Sequence, residues 1–180
     1  MKGADEVLSF WFTTLEPRDW FRKDPALDAG IAERFSAVLT AARQGELFGW
    51  RSTPAGRLAE VIVLDQFSRN IHRDTPGAFA ADPLALVLAQ EAIDRGLDRV
   101  LDLPRRAFLY MPFMHSESLP IHDRALELFA QPGLERELDF ERRHREIIER
   151  FGRYPHRNAI LDRESTPEEL AFLEQPGSSF

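Results

Sequence analysis

Four times in this chain a side chain that can cap a helix stands directly before a proline: Asp24-Pro25, Thr53-Pro54, Asp82-Pro83 and Thr166-Pro167. The oxygen of Asp or Thr accepts an amide N–H that the first helical turn leaves without a partner, and proline at the next position needs no donor and already has a helical φ. Each pair therefore marks a helix start. The first predicts a helix over 25–43 closed by Gly45, the second a helix over 54–71, and the third a helix ended by Gly96. Thr166-Pro167-Glu168-Glu169 has the form of a capping box and opens a short helix through Leu173. Apolar spacing adds helices over 104–114, 119–130 and 135–151, the last closed by Gly152. Residues 4–15 read as a helix too, although Phe10-Trp11-Phe12 also suits an extended chain.

No segment alternates with period two between hairpin turns, so the predicted fold class is all-α. It is expected to be a compact bundle of about eight antiparallel helices in a single domain over 1–180, with only the tail 175–180 loose. A chain of 180 residues can bury roughly 70% of its unfolded surface, enough for a self-sufficient core. There is no cysteine, which removes disulfides, thiolate zinc sites and thiol nucleophiles and suits the cytoplasm. The start carries Asp5 and Glu6 ahead of a short apolar run, unlike a secretory signal, and no apolar run is long enough to cross a bilayer. Neither a membrane nor a nucleic acid is an expected partner, since the net charge is -7.

Charge is distributed unevenly. Between Arg142 and Arg163 seven arginines face Glu146, Glu149 and Asp162, a basic patch suited to one carboxylate or phosphate ester. Within it the helix predicted to stop at Gly152 runs into Arg153, His156, Arg157 and Asn158, on a turn stiffened by Pro155. Guanidinium groups in such a turn suit bidentate anion recognition, and an amide beside them adds orientation; equally, they cap a helix dipole from solvent. His144 shares a helical face with Phe140, Ile147, Ile148 and Phe151 and is expected to point inward, either as a satisfied core histidine or as an acid–base group.

Two further clusters carry chemistry. Leu58, Ile62, Asp65 and Arg69 fall on one stripe, so an ion pair followed by Asn70 continues an apolar face. Desolvating those charges costs several kcal/mol unless partners are supplied, which calls for a cleft or a polar network. His115 and Glu117 follow the break that Pro112 imposes; they can transfer a proton or merely cap helix ends. The five histidines lack the spacing of helical metal sites, and no glycine-rich phosphate loop is present, so neither metal nor cofactor is expected.

Taken together, Leu64-Asp65-Gln66-Phe67-Ser68-Arg69-Asn70, Met114-His115-Ser116-Glu117, Arg150-Phe151-Gly152-Arg153-Tyr154-Pro155-His156-Arg157-Asn158 and Ser165-Thr166-Pro167-Glu168-Glu169 resemble the marks of a mostly bacterial family of uncharacterised proteins. The resemblance implies an all-helical fold similar to the tetratricopeptide-like superhelices and implies no activity. The chain lacks the 34-residue tetratricopeptide period, and Asp162 stands where the family pattern has Gly after Leu161.

The function expected from these residues is binding of a small anionic metabolite in a polar pocket. Asp65, Arg69, Asn70, Arg153, His156, Arg157 and Asn158 are the candidate ligand-binding residues. Should the site catalyse, His115, Glu117 and His144 are the candidates for cofactor-independent acid–base hydrolysis. The competing expectation is a helical module for a peptide or protein partner, favoured if Trp11, Trp20 and Trp50 are exposed, with the polar motifs as internal structure.

Overall fold

Asp24 caps helix α2 (Pro25–Arg43), its carboxylate accepting from the N–H groups of Ala26 and Leu27 at 3.0 and 3.1 Å. Thr53 does the same for α3 (Pro54–Ile62) through the N–H of Gly56, and Thr166 and Glu169 close a reciprocal capping box on α9 (Pro167–Leu173). These belong to a computed structural model that describes residues 2–180. The fold is all-helical, with no strand among the described residues, and the remaining α-helices are α1 (Ala4–Ser9), α4 (Ser68–Ile71), α5 (Asp82–Asp94), α6 (Leu103–Met114), α7 (Leu119–Phe129) and α8 (Glu135–Phe151). No helix is long and apolar enough to cross a membrane among the described residues.

The third proline-marked start differs from expectation. Ala81, not Asp82, is the N-cap of α5, and no side chain caps it. The Asp82 carboxylate instead accepts two hydrogen bonds from Arg69, at 2.8 and 2.9 Å. A bidentate guanidinium pair is stronger than one amide donor, so the tertiary contact takes the carboxylate.

Contacts gather into two compact units, one of residues through Arg73 with Gly77–Pro112, the other of Asp74–Pro76 with Phe113–Phe180. The first is centred on α3 and the turn after it, where Leu58 and Val61 to Leu64 are fully buried, as an all-round apolar stretch must be. Phe35, Phe67, Trp11 and Phe108 pack around it in a chain of ring contacts 4.7 to 5.6 Å apart. Between α3 and α4 the helix widens into a π-helical turn over Val63–Phe67. Such turns are rare and often lie at functional positions; here it buries Asp65 and Gln66 and lets Gln66 donate to the Asp65 carboxylate at 2.7 Å.

In the second unit α7 and α8 form an antiparallel hairpin: Leu119 packs near Ile147 and Ile148, and Asp123 pairs with Arg145. Tyr154 completes that apolar cluster, against which Phe151 and Phe172 pack, their own rings tilted to each other with centroids 5.0 Å apart. Gly152 has φ +68°, the left-handed stop that the end of α8 requires.

Candidate functional site

Asp65, Arg69 and Asn70 lie in the first unit, and His115, Glu117, His144, Arg153, His156, Arg157 and Asn158 lie in the second. Arg69 bridges the Asp65 carbonyl, the Asp65 carboxylate and Asp82, while Asn70 donates to Asp28, which also binds Arg73. This is the polar network that the buried ionic stripe demanded.

The second unit converges on Tyr154, which is fully buried on the turn after Gly152. Its ring meets His122 at 6.2 Å, His144 at 5.9 Å and His156 at 5.7 Å, and the Arg157 guanidinium lies over it at 4.7 Å. The turn is anchored from three sides. Glu117 accepts from the Tyr154 N–H at 2.7 Å and from both terminal nitrogens of Arg163 at 2.7 and 2.9 Å. Arg163 also donates to the Asn158 side chain and the Tyr154 carbonyl, and Asn158 donates to Ser165. Arg153 makes a two-pronged pair with Glu169 at 2.7 and 2.8 Å. Arg157, 5% exposed, donates to the His115 carbonyl at 2.9 Å.

These partners set the charge states. Burial alone would raise the Glu117 carboxyl, but hydrogen bonds from Arg163 and Tyr154 and the charges of Arg157 and Arg163 hold it below the ordinary value. It is an ionised anchor, a poor base. Hydrogen bonds from Arg153 pull Glu169 down to about 2. Burial pushes His144 down to about 3, with the neighbouring imidazoles of His115, His122 and His156 adding to the effect. His144 is therefore neutral, and because the Phe140 carbonyl 2.7 Å from Nδ1 can only accept, Nδ1 carries the proton. Its Nε2 keeps a lone pair and takes no hydrogen bond among the described residues.

Glu141 and His122 are the functional-looking pair that sequence reasoning passed over. Both are fully buried, with His122 Nδ1 2.6 Å from Glu141 Oε1. The Ser116 carbonyl at 2.8 Å fixes a proton on Nε2, so a single proton lies between ring and carboxylate. Tyr154 gives its own proton to the Met114 carbonyl and meets Nε2 as an acceptor at 3.1 Å. Burial raises Glu141, and its Oε2 has no hydrogen-bond partner among the described residues. The expected α8 face needs correction accordingly: Phe140 is 41% exposed, and Glu141 takes the buried position with His144 and Ile148. An acidic residue three before His144 and seven before Ile148 is the helical-spacing signal that could have revealed it.

No group of three or more His, Asp or Glu side chains that could hold a metal ion is present among the described residues. Asp162 has φ +53°, a left-handed backbone position that Asp tolerates.

The family model described as a bacterial protein of unknown function, DUF924, matches residues 7–177. The chain belongs to the DUF924 family. No curated protein matches it. The solved structure of a protein of unknown function from Agrobacterium tumefaciens is similar to this DUF924 chain, 43% identical, with a TM-score of 0.90 over 95% of this chain and 96% of that one. An all-helical bacterial family is what the resemblance implied, and like that family the solved relative carries no assigned activity.

Proposed function

We propose that the imidazole cluster around Tyr154 binds a small anionic metabolite, with Arg157 supplying charge, His115 and His156 supplying donors, and His144 exchanging a proton in cofactor-independent hydrolysis. The observation that carries this is the state of His144: an imidazole held neutral by burial, with Nδ1 locked onto Phe140 and the Nε2 lone pair uncommitted. Such a ring presents an unprotonated acceptor at neutral pH, and a bound anion beside it would raise its low basicity toward the range in which it takes a proton. Arg153 and Asn158 support the turn that carries His156 and Arg157, since Glu169, Arg163 and Ser165 already engage them. Glu117 positions the same turn through Arg163 and the Tyr154 N–H. Tetratricopeptide-like stacking belongs to the same proposal and is supported by the antiparallel pairing of α7 and α8. The competing peptide-binding module loses one of its supports, because Trp11 is fully buried.

The test is differential scanning fluorimetry with inorganic phosphate and malonate. A concentration-dependent rise in midpoint is expected, lost in Arg157→Ala and retained in part in Arg157→Lys. If neither anion raises the midpoint of the native protein while Arg157→Lys and His144→Asn both unfold it, the cluster is internal structure and the proposal fails.

A further inference from the structure

The imidazole cluster is already covered. After α9 the chain turns at Gly177, whose φ is +79°, and Ser178, 6% exposed, is pinned by a hydrogen bond from its hydroxyl to the Leu173 carbonyl at 3.1 Å. That return lays the Phe180 ring against His144 at 3.7 Å between centroids, against His156 at 4.6 Å and against Tyr154 at 5.1 Å. Phe180 itself remains 54% exposed while His144 is 5% exposed, so the phenyl ring lies over an otherwise sheltered imidazole with its own outer side open to water. Phe180 also lies beyond the residues that match the family, 7–177. One buried serine hydroxyl and one ring seat thus place the end of the segment 175–180.

We propose that Phe180 is a tethered occupant of the site, and that the ligand which displaces it is a hydroxylated aromatic acid. This deepens the anion-binding proposal and rests on it. The seat is built of three rings, and an aromatic guest alone preserves the edge and tilted contacts that Phe180 makes. A phenyl ring cannot donate a hydrogen bond to Nε2 of His144; a phenolic hydroxyl in the same seat can. A carboxylate on that ring would supply the negative charge that Arg157, against the same tyrosine, attracts. Half-exposed aromatic pairs of this kind are weak enough for a free ligand to replace.

The experiment titrates native protein and Phe180→Ala with 4-hydroxybenzoate, cyclohexanecarboxylate and inorganic phosphate, and follows the ring-proton resonances of His144 and His156 by NMR. Loss of one aromatic contact converts to about two- to tenfold tighter binding of 4-hydroxybenzoate by Phe180→Ala, with cyclohexanecarboxylate bound more weakly than 4-hydroxybenzoate by both proteins. Equal affinity of the two proteins for 4-hydroxybenzoate, or no preference for the aromatic ring, overturns the tethered-occupant proposal; if phosphate or cyclohexanecarboxylate still binds, the anion-binding proposal stands. His resonances unchanged by Phe180→Ala also overturn it, since the ring then does not sit on them. If those resonances move but none of the three compounds binds either protein, the underlying site is wrong and this proposal falls with it.

Discussion

Replacing His144 by asparagine separates a neutral, sheltered imidazole from an ordinary one. In the unfolded chain His144 takes up a proton near 6.5, whereas in the folded chain it does so only near 3. Because the folded value is depressed, the stability attached to this group is complete above 6.5 and is lost as pH falls through the interval from 6.5 to 3. The ring is 5% exposed, so solvent screening does not blunt the effect. Protonation of the unfolded chain costs the folded state about 2 kcal/mol at about pH 5 and about 0.1 kcal/mol at about pH 7.5. The figure is insensitive to the folded value as long as that value stays below about 4. His144→Asn removes the titration and leaves a short N–H donor on the same side of the helix. Urea unfolding at about pH 7.5 and about pH 5 measures both proteins. Native protein is expected to lose about 2 kcal/mol more than His144→Asn between the two conditions, whatever the variant costs at either one. Equal losses, within about 0.5 kcal/mol, would refute the claim that His144 is kept neutral and with it the basis for its role as a base.

Glu141→Ala leaves the buried His122 Nδ1 without its partner and is expected to cost about 3–5 kcal/mol, whereas Glu141→Gln, whose amide can donate to Nδ1, stays within about 1 kcal/mol; chemical denaturation that ranks them the other way contradicts the shared-proton geometry. Glu169 is held at about 2, so its contribution is complete above the ordinary 4.5 and lost as pH falls through about 2. Glu169→Gln should therefore lower the thermal midpoint at neutral pH by an amount that shrinks in acid, and a gap constant with pH would argue against the Arg153 pairing as its cause. Asp162→Gly should raise stability by up to about 1 kcal/mol, because φ +53° burdens a residue with a Cβ; a lower melting midpoint would show that the turn gains from the aspartate.

The expected helix over 135–151 is the one observed, and the expected stop at Gly152 has the expected left-handed φ. The starts at Pro25, Pro54 and Pro167 match as well. The site was legible only by its parts. His144 was expected to point inward and is buried, and the turn after Gly152 does gather His156, Arg157 and Asn158. What spacing could not supply was who holds whom. Arg163 reaches Glu117 across 46 residues, Arg153 takes Glu169, and Arg69 takes Asp82 away from its capping role. The π-helical turn at Val63–Phe67 has no local signature either, since its residues form α-helix equally well by propensity.

The sequence by itself determined most helix boundaries and the all-helical class, the cap of α5 excepted, because a cap, a proline and a left-handed glycine act within one helical turn on groups a few bonds away. Only the tertiary structure decided which charges are anchors and which imidazole is left uncommitted. Those outcomes depend on partners dozens of residues apart that meet only after the chain has folded, and on burial, which sets the proton on His144 and Glu141 through desolvation that no stretch of sequence expresses.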